Sequence, residues 1–424
     1  MTTSHRERHK TIGRFLGIAA LMAFAGSLAS TVRAQPPAIL PSTGPTDARF
    51  ESFDRMMVEF LEKNPRVPGA ALAVARHGRL VYSRGFGYAD GKTKVEPDSR
   101  FRIASISKPI TSVAILRLAQ EGKLKLDDLV FDVLDLAEPK KGFDPRWRKI
   151  TIRNLLQHTG GWDRDKSFDA MFINGKICKR LGIASPAMPN DILRYMLEQP
   201  LDFDPGSRYA YSNFGYSILG RIIEKLTGGP YEDFVRREVL LPVGAQLTRL
   251  GHTPYDDRLL GEVHYESGRP KTSSILAANL GEQVEWPYGG WCLELMDSHG
   301  GWVSTAPDLV RFASAFDDPE KCKLLTAKSI ETMFARPDGL AGHDKDGKDK
   351  ATYYGCGWSV RPAGNRPTIW HTGLFAGTST LLVRRSDGLA WAVLFNGWTP
   401  PDRNAASIID PLVHKAADAV KMWP

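Results

Sequence analysis

The sequence predicts an α/β (α+β) fold: an antiparallel sheet flanked by helices, with a helical insertion that forms a cleft. Three observations carry this. β-rich runs sit near both ends of the chain, helical spacing dominates between them, and 424 residues with 42% apolar and 25% charged side chains are enough to bury a sizeable core.

The elements follow in order. Residues 1–34 differ in kind from the rest: Arg6, Arg8, Lys10 and Arg14 precede an uncharged run from Phe15 to Val32, and Val32-Arg33-Ala34 offers small residues at a cleavage spacing. This reads as a secretory signal peptide cut after Ala34, which implies a secreted or periplasmic protein. No cysteine directly follows the run, so a bacterial lipid anchor is not indicated, and no later run approaches the length needed to span a bilayer, so no stable membrane span is expected after cleavage. Residues 35–45 form a Pro-rich leader, and 46–424 the main domain. Asp47 to Lys63 has the apolar spacing of an amphipathic helix, and two β-rich segments around His77-Gly78 read as a hairpin. Helical patterns follow at 105–121, 152–157, 189–198, 214–227 and 230–239. From about Gly355 short β-rich runs return, and Asn404 to Val420 closes as a helix. The expected division is an α/β part over 46–104 and 300–424, with a helical part over 105–299.

Composition excludes some functions. Loss of residues 1–34 removes five Lys/Arg and one Glu, taking the formal charge from +8 to +4, which is too small and unclustered to imply nucleic acid. Cys178, Cys292, Cys322 and Cys356 lie far apart with no paired metal spacing, leaving free thiols or one or two disulfides open. No G-x-S-x-G, HExxH or glycine-rich phosphate loop is present, and no metal or organic cofactor is called for. His264-x-Glu266 lacks the partner cysteines of a zinc deaminase.

One stretch carries chemistry. In "FRIASISKPITSVAIL" two serines precede Lys108. Residues three apart on a helix share a face, so Lys108 lies beside Ser105 and about 100° from Ser107. A serine hydroxyl needs a base within hydrogen-bond reach, and a desolvated lysine can serve; at a helix start the nucleophile's own N–H is free for an oxyanion. Alone, S-x-x-K is a weak signal, and a capping serine beside a solvated lysine would explain it. Two companions strengthen it: Tyr211-Ser212-Asn213, the only Tyr-x-Asn in the chain, before a helix, and His371-Thr372-Gly373 on a β-rich segment.

In that order these motifs resemble the serine β-lactamase and penicillin-binding protein superfamily, in its class C-like branch with related esterases and D-aminopeptidases. The likeness spans most of residues 47–420, including "FRIASISKPITSVAILRLAQEGKLKLDD", "ITIRNLLQHTGGW" and "YSNFGYSILGRIIEKLTGGPYEDFV". It implies Ser105 as the acylated nucleophile, Lys108 and Tyr211 sharing its proton, and Asn213 hydrogen-bonding Lys108 or substrate. His371, Thr372, Gly373 and Leu374 would line the substrate, with the N–H groups of Ser105 and Leu374 as oxyanion hole. Which of Lys108 and Tyr211 is the base stays open. A second triplet, His158-Thr159-Gly160, is expected to be a structural turn after a helix, while His371 is expected on the edge strand of the sheet.

The expected activity is a serine hydrolase acting through an acyl-enzyme on a small-molecule ester, amide, lactam or peptide. Histidine at 371, where relatives commonly present lysine, weakens a carboxylate anchor and favours esters or uncharged amides. The alternatives are β-lactam or D-alanyl peptide hydrolysis, or a non-catalytic protein binding an acyl ligand or peptidoglycan. The chain's oligomeric state is not readable from its residues.

Overall fold

Near the middle of the main sheet, β-rich segments from the two ends of the chain lie side by side. The computed structural model describes residues 40–364, 366–397 and 404–424; the expected signal peptide and the first five residues of the Pro-rich leader, 35–39, lie outside them. The first strands are β1 (Ser42–Thr43), β2 (Gly69–Arg76), β3 (Arg79–Gly87) and β4 (Phe101–Arg102). The middle of the chain adds β5 (Arg249–Leu250), β6 (Thr272–Ser273), β7 (Gln283–Val284) and β8 (Trp302–Ser304). The end supplies β9 (Tyr353–Tyr354), β10 (Ser359–Arg361), β11 (Thr368–Phe375), β12 (Thr378–Arg384) and β13 (Leu389–Phe395).

Eight of these form one antiparallel sheet in the order β1-β3-β2-β13-β12-β11-β10-β9. The hairpin turns at His77-Gly78 with positive φ at both residues, 46° and 78°, as a two-residue turn of this twist requires. The end of the leader is not free: Ser42 and Thr43 pair with Phe86 and Gly85 as the outermost strand.

"GAALAVA" and "LAWAVLF" show no polar alternation because β2 and β13 are buried on both faces. On one face Leu72, Val74, Trp391 and Val393 meet Phe53, Met57 and Phe60 of helix α1 (Glu51–Lys63) and Ile409 and Val413 of the helix Ala405–Asp418. Each large apolar side chain so covered contributes about 1.5–3 kcal/mol. On the other face Ala71, Ala73, Ala75, Ala390 and Ala392 join a second core, their small side chains admitting the helix Ala306–Ser314.

Helix α2 (Ser107–Gln120) runs through that second core and is buried nearly all round. It starts two residues later than the spacing predicts, because Ala104–Ile106 forms a tighter 3-10 turn ahead of it. Residues 241–296, expected within the helical part, hold only short 3-10 turns, β5 and the β6–β7 ladder. Pro242, Pro254, Pro270 and Pro287 interrupt this stretch, and the glycines at 244, 261, 268, 281 and 289 take positive φ. The segment predicted at 230–239 is an α-helix over Tyr231–Val235 that widens into a π turn at Arg236–Leu240.

All four cysteines are free thiols. Among the described residues, no helix is long and apolar enough to cross a membrane, and no three His, Cys, Asp or Glu side chains gather as a metal site.

Candidate active site

The turn Ala104–Ile106 that carries Ser105 is clamped from several sides. Arg102 is fully buried among the rings of Tyr265, Tyr288 and Trp291, and its guanidinium donates to the carbonyls of Pro287 (2.6 Å) and His252 (2.8 Å). The Ile103 N–H donates to the Trp302 carbonyl, and its own carbonyl accepts from Thr380 Oγ1 at 3.0 Å. Ala104 sits at φ 48°, a left-handed conformation that a non-glycine residue adopts only when its surroundings hold it. These contacts leave Ser105 partly exposed while its neighbours on both sides are buried.

Lys108 is wholly buried, with Nζ 3.0 Å from Ser105 Oγ, 2.8 Å from Asn213 Oδ1 and 2.9 Å from the His299 carbonyl oxygen. Burial holds its pKa well below the ordinary lysine value; the Asp169 carboxylate raises it and Arg164 lowers it. In the neutral amine two N–H groups go to the two oxygens that can only accept, Asn213 Oδ1 and the His299 carbonyl. The lone pair then faces the Ser105 hydroxyl, which is the geometry of a base.

The Tyr211 ring lies 4.8 Å from Lys108 Nζ. Burial pushes its phenol pKa up, and a hydrogen bond with Ser105 pulls the other way. Ser107, by contrast, is fully buried, its Oγ 3.4 Å from the Trp302 N–H. Of the two serines, only Ser105 meets Lys108.

The Tyr211 segment is held by the second triplet. His158, at φ 56°, accepts the Ala210 N–H on its carbonyl and the Ser212 N–H on Nδ1, and its ring lies 4.3 Å from that of Tyr211. Beyond forming a turn, His158 therefore supports the loop that presents Tyr211. With Nδ1 accepting, the proton sits on Nε2, and burial beside Lys108 keeps the ring neutral.

The third triplet lies on β11, which is not the sheet's edge as expected. β10 and β9 lie outside it, but β10 pairs only with Thr368, Ile369 and Trp370. From His371 to Phe375 that side has no strand partner among the described residues. His371, Gly373 and Phe375 are buried, while Thr372 is half-buried and Leu374 exposed. Gly373 is needed there because a Cβ would stand 2.2 Å from both the Ile103 carbonyl and Thr380 Oγ1. His371 is 5% exposed; Nδ1 lies 2.7 Å from the Thr372 carbonyl and Nε2 2.9 Å from the Tyr354 hydroxyl. The carbonyl can only accept, so Nδ1 carries the proton and the ring is neutral, its pKa lowered to about 3 by burial and by Lys108.

Sequence reasoning missed Asp169, Arg164, Tyr354 and the His299 carbonyl. None belongs to a motif: Arg164 and Asp169 lie in an irregular charged loop, and a carbonyl has no residue signature. Asp169 accepts from Asn213 Nδ2 at 2.6 Å, and the Arg164 guanidinium sits 4.7 Å above the Tyr211 ring.

A family model described as Beta-lactamase matches residues 53–414. Protein flp of Staphylococcus aureus (strain MW2) is 29% identical over 342 residues, covering 80% of this chain and 61% of its own length. Penicillin-binding protein 4* of Bacillus subtilis (strain 168) is 30% identical over 339 residues, covering 78% of this chain and 68% of its own. Among solved structures, D-amino acid amidase from Ochrobactrum anthropi SV3 complexed with D-phenylalanine superposes with a TM-score of 0.67 at 22% identity, covering 89% of this chain and 100% of that one.

Proposed function

The chain belongs to the beta-lactamase family of serine hydrolases, and from that premise we propose that it acts through an acyl-enzyme on Ser105, with a preference for uncharged esters. The observation that carries this reading is Lys108 Nζ, buried 3.0 Å from Ser105 Oγ with both other partners acceptors. Lys108 takes the Ser105 proton as Oγ attacks the acyl carbon. Tyr211, whose phenol stays protonated and bonds Ser105, gives its proton to the leaving group as that bond breaks and takes up the proton held on Lys108, which leaves the amine neutral again. The N–H groups of Ser105 and Leu374 hold the oxyanion, Thr372 and Leu374 line the acyl group, and water later attacks the ester under the same base.

A neutral His371 offers no cation to a substrate carboxylate, which supports the preference for uncharged acyl groups. A β-lactam or D-alanyl peptide would have to find its positive partner elsewhere, and Arg164 is an exposed candidate beside Tyr211. A catalytically idle binding protein would have no need of the whole Ser105–Lys108–Asn213 arrangement. We place the substrate cleft between the α/β part and the helical part, and propose export by cleavage after Ala34.

A burst of nitrophenol from nitrophenyl butyrate, with an acyl mass on the Ser105 peptide, is the expected result. Absence of both in the wild-type chain would refute the acyl-enzyme. In a panel with nitrocefin and D-alanyl peptides, the neutral ester should give the highest kcat/KM; nitrocefin turnover above the ester would reverse the substrate assignment.

A further inference from the structure

We propose that Asp169 is a positioning residue that fixes the amide orientation of Asn213 and, through it, the direction of the Lys108 lone pair. The inference deepens the acyl-enzyme reading and rests on it. Asp169 is itself anchored: Oδ1 accepts the Met171 N–H at 3.1 Å, capping the turn Ala170–Phe172, and Oδ2 accepts Asn213 Nδ2 at 2.6 Å. A carboxylate can only accept, so the Asn213 amide has one allowed orientation, with Oδ1 toward Lys108 at 2.8 Å.

The consequence follows from counting protons. With Oδ1 toward Nζ, the neutral amine spends its two N–H groups on Asn213 and on the His299 carbonyl, and its lone pair is left for Ser105. If the amide turned over, Nδ2 would face Nζ, the lone pair would be drawn to that donor, and Ser105 would lose its base. Asp169 also places a carboxylate facing this lysine; burial raises its pKa, and the hydrogen bonds from Asn213 and the Met171 N–H, with Arg164 and Lys108 nearby, favour its charged form. The other titratable and charged groups around Nζ are the rings of Tyr211 and Tyr216 at 4.8 and 5.7 Å, the buried histidines 158, 299 and 371, all held neutral, and Arg164. Arg164 sits 3.9 Å from both Asp165 and Asp169. Removing the Asp169 charge takes away a stabiliser of the Lys108 ammonium, so the lysine gives up its proton at lower pH.

The test is the pH dependence of kcat/KM for a neutral nitrophenyl ester in the wild type, D169N, D165N and D169N/N213D. D169N is expected to lower the plateau about tenfold or more, since one amide must now meet a donor, and to move the acid limb down by about one pH unit. D165N removes a like charge from the same loop without touching Asn213 and should leave the limb in place. D169N/N213D puts the carboxylate on the helix side of the same hydrogen bond, next to Nζ, and should move the limb above the wild-type position.

An acid limb that stays put in D169N overturns the proposal, whatever the plateau does; if D169N does not fold, an unmoved limb in the swapped pair does so. The 13Cε resonance of Lys108 reads the same titration without turnover. A chain that forms no acyl-enzyme would thus refute the hydrolytic reading while this resonance still decides the role of Asp169.

Discussion

Burial lowers the pKa of Lys108, and its energetics differ from those of the residues around it. An unfolded lysine keeps its proton to about pH 10.4, whereas the buried one releases it earlier. Between the two values the unfolded chain binds more protons, so this side chain's cost to stability shrinks as pH rises through that window and is fully present below it. Lys108→Met should therefore abolish acylation and raise Tm at pH 7 by roughly 2–4 °C, with the gain over wild type falling toward pH 10. Calorimetry showing a gain that grows with pH would contradict the sign. Lys108→Ala and Tyr211→Phe should each lower kcat by orders of magnitude, and the double variant little further, because one proton-transfer unit fails once; fully additive losses in log kcat would indicate separate roles. Ser107→Ala should keep most of the activity, since its hydroxyl faces the Trp302 backbone and not the site. The pairing of Ser105 with Lys108 was legible because i, i+3 geometry survives the change from α to 3-10. Asp169 was not, because a partner brought in from an irregular loop leaves no period in the sequence.

At the scale of elements, the proposed catalytic geometry depends on how closely β11 approaches the Ser105 turn. Gly373 is the point of contact, and Gly373→Ala must push either strand or turn aside. The expected cost is about 1–3 kcal/mol of stability from overpacking and on the order of 100-fold in acylation rate from displaced reacting groups. The urea midpoint and the burst rate measure the two separately, and a variant matching wild type in both would show that the contact yields freely. The strands of the hairpin β2–β3 and the runs of β10 to β13 were legible in the sequence as β-rich segments, with His77-Gly78 marking the turn, while the short strands β4 to β8 were not. The position of β11 was not: three residues of β10 remove it from the edge, and nothing in "GCGWSV" announces how few of them pair. Residues 241–296 misled for a different reason, since their packing is set by prolines and glycines rather than by apolar spacing.

For the whole molecule, the sheet ties an early and a late segment of the described chain into one structure: Gly69–Arg76 pairs with Leu389–Phe395 in the register Ala70↔Phe395 to Arg76↔Leu389. Loss of activity and loss of far-ultraviolet circular dichroism should share one denaturant midpoint. Activity vanishing well before the secondary structure would mean that the catalytic parts melt apart from the sheet. The fold class was legible at this scale because β-rich runs at both termini have few other ways to bury two apolar faces. The same pairing sets a timetable for the newborn chain. β2 and β3 leave the ribosome about three hundred residues before β13, which at about 5–20 residues per second is roughly 15–60 s. Through that interval an apolar hairpin waits without its central neighbour, open to any other strand it meets, so the yield of folded protein in a cell should depend on the chaperones that shelter it until its last sixth has been made.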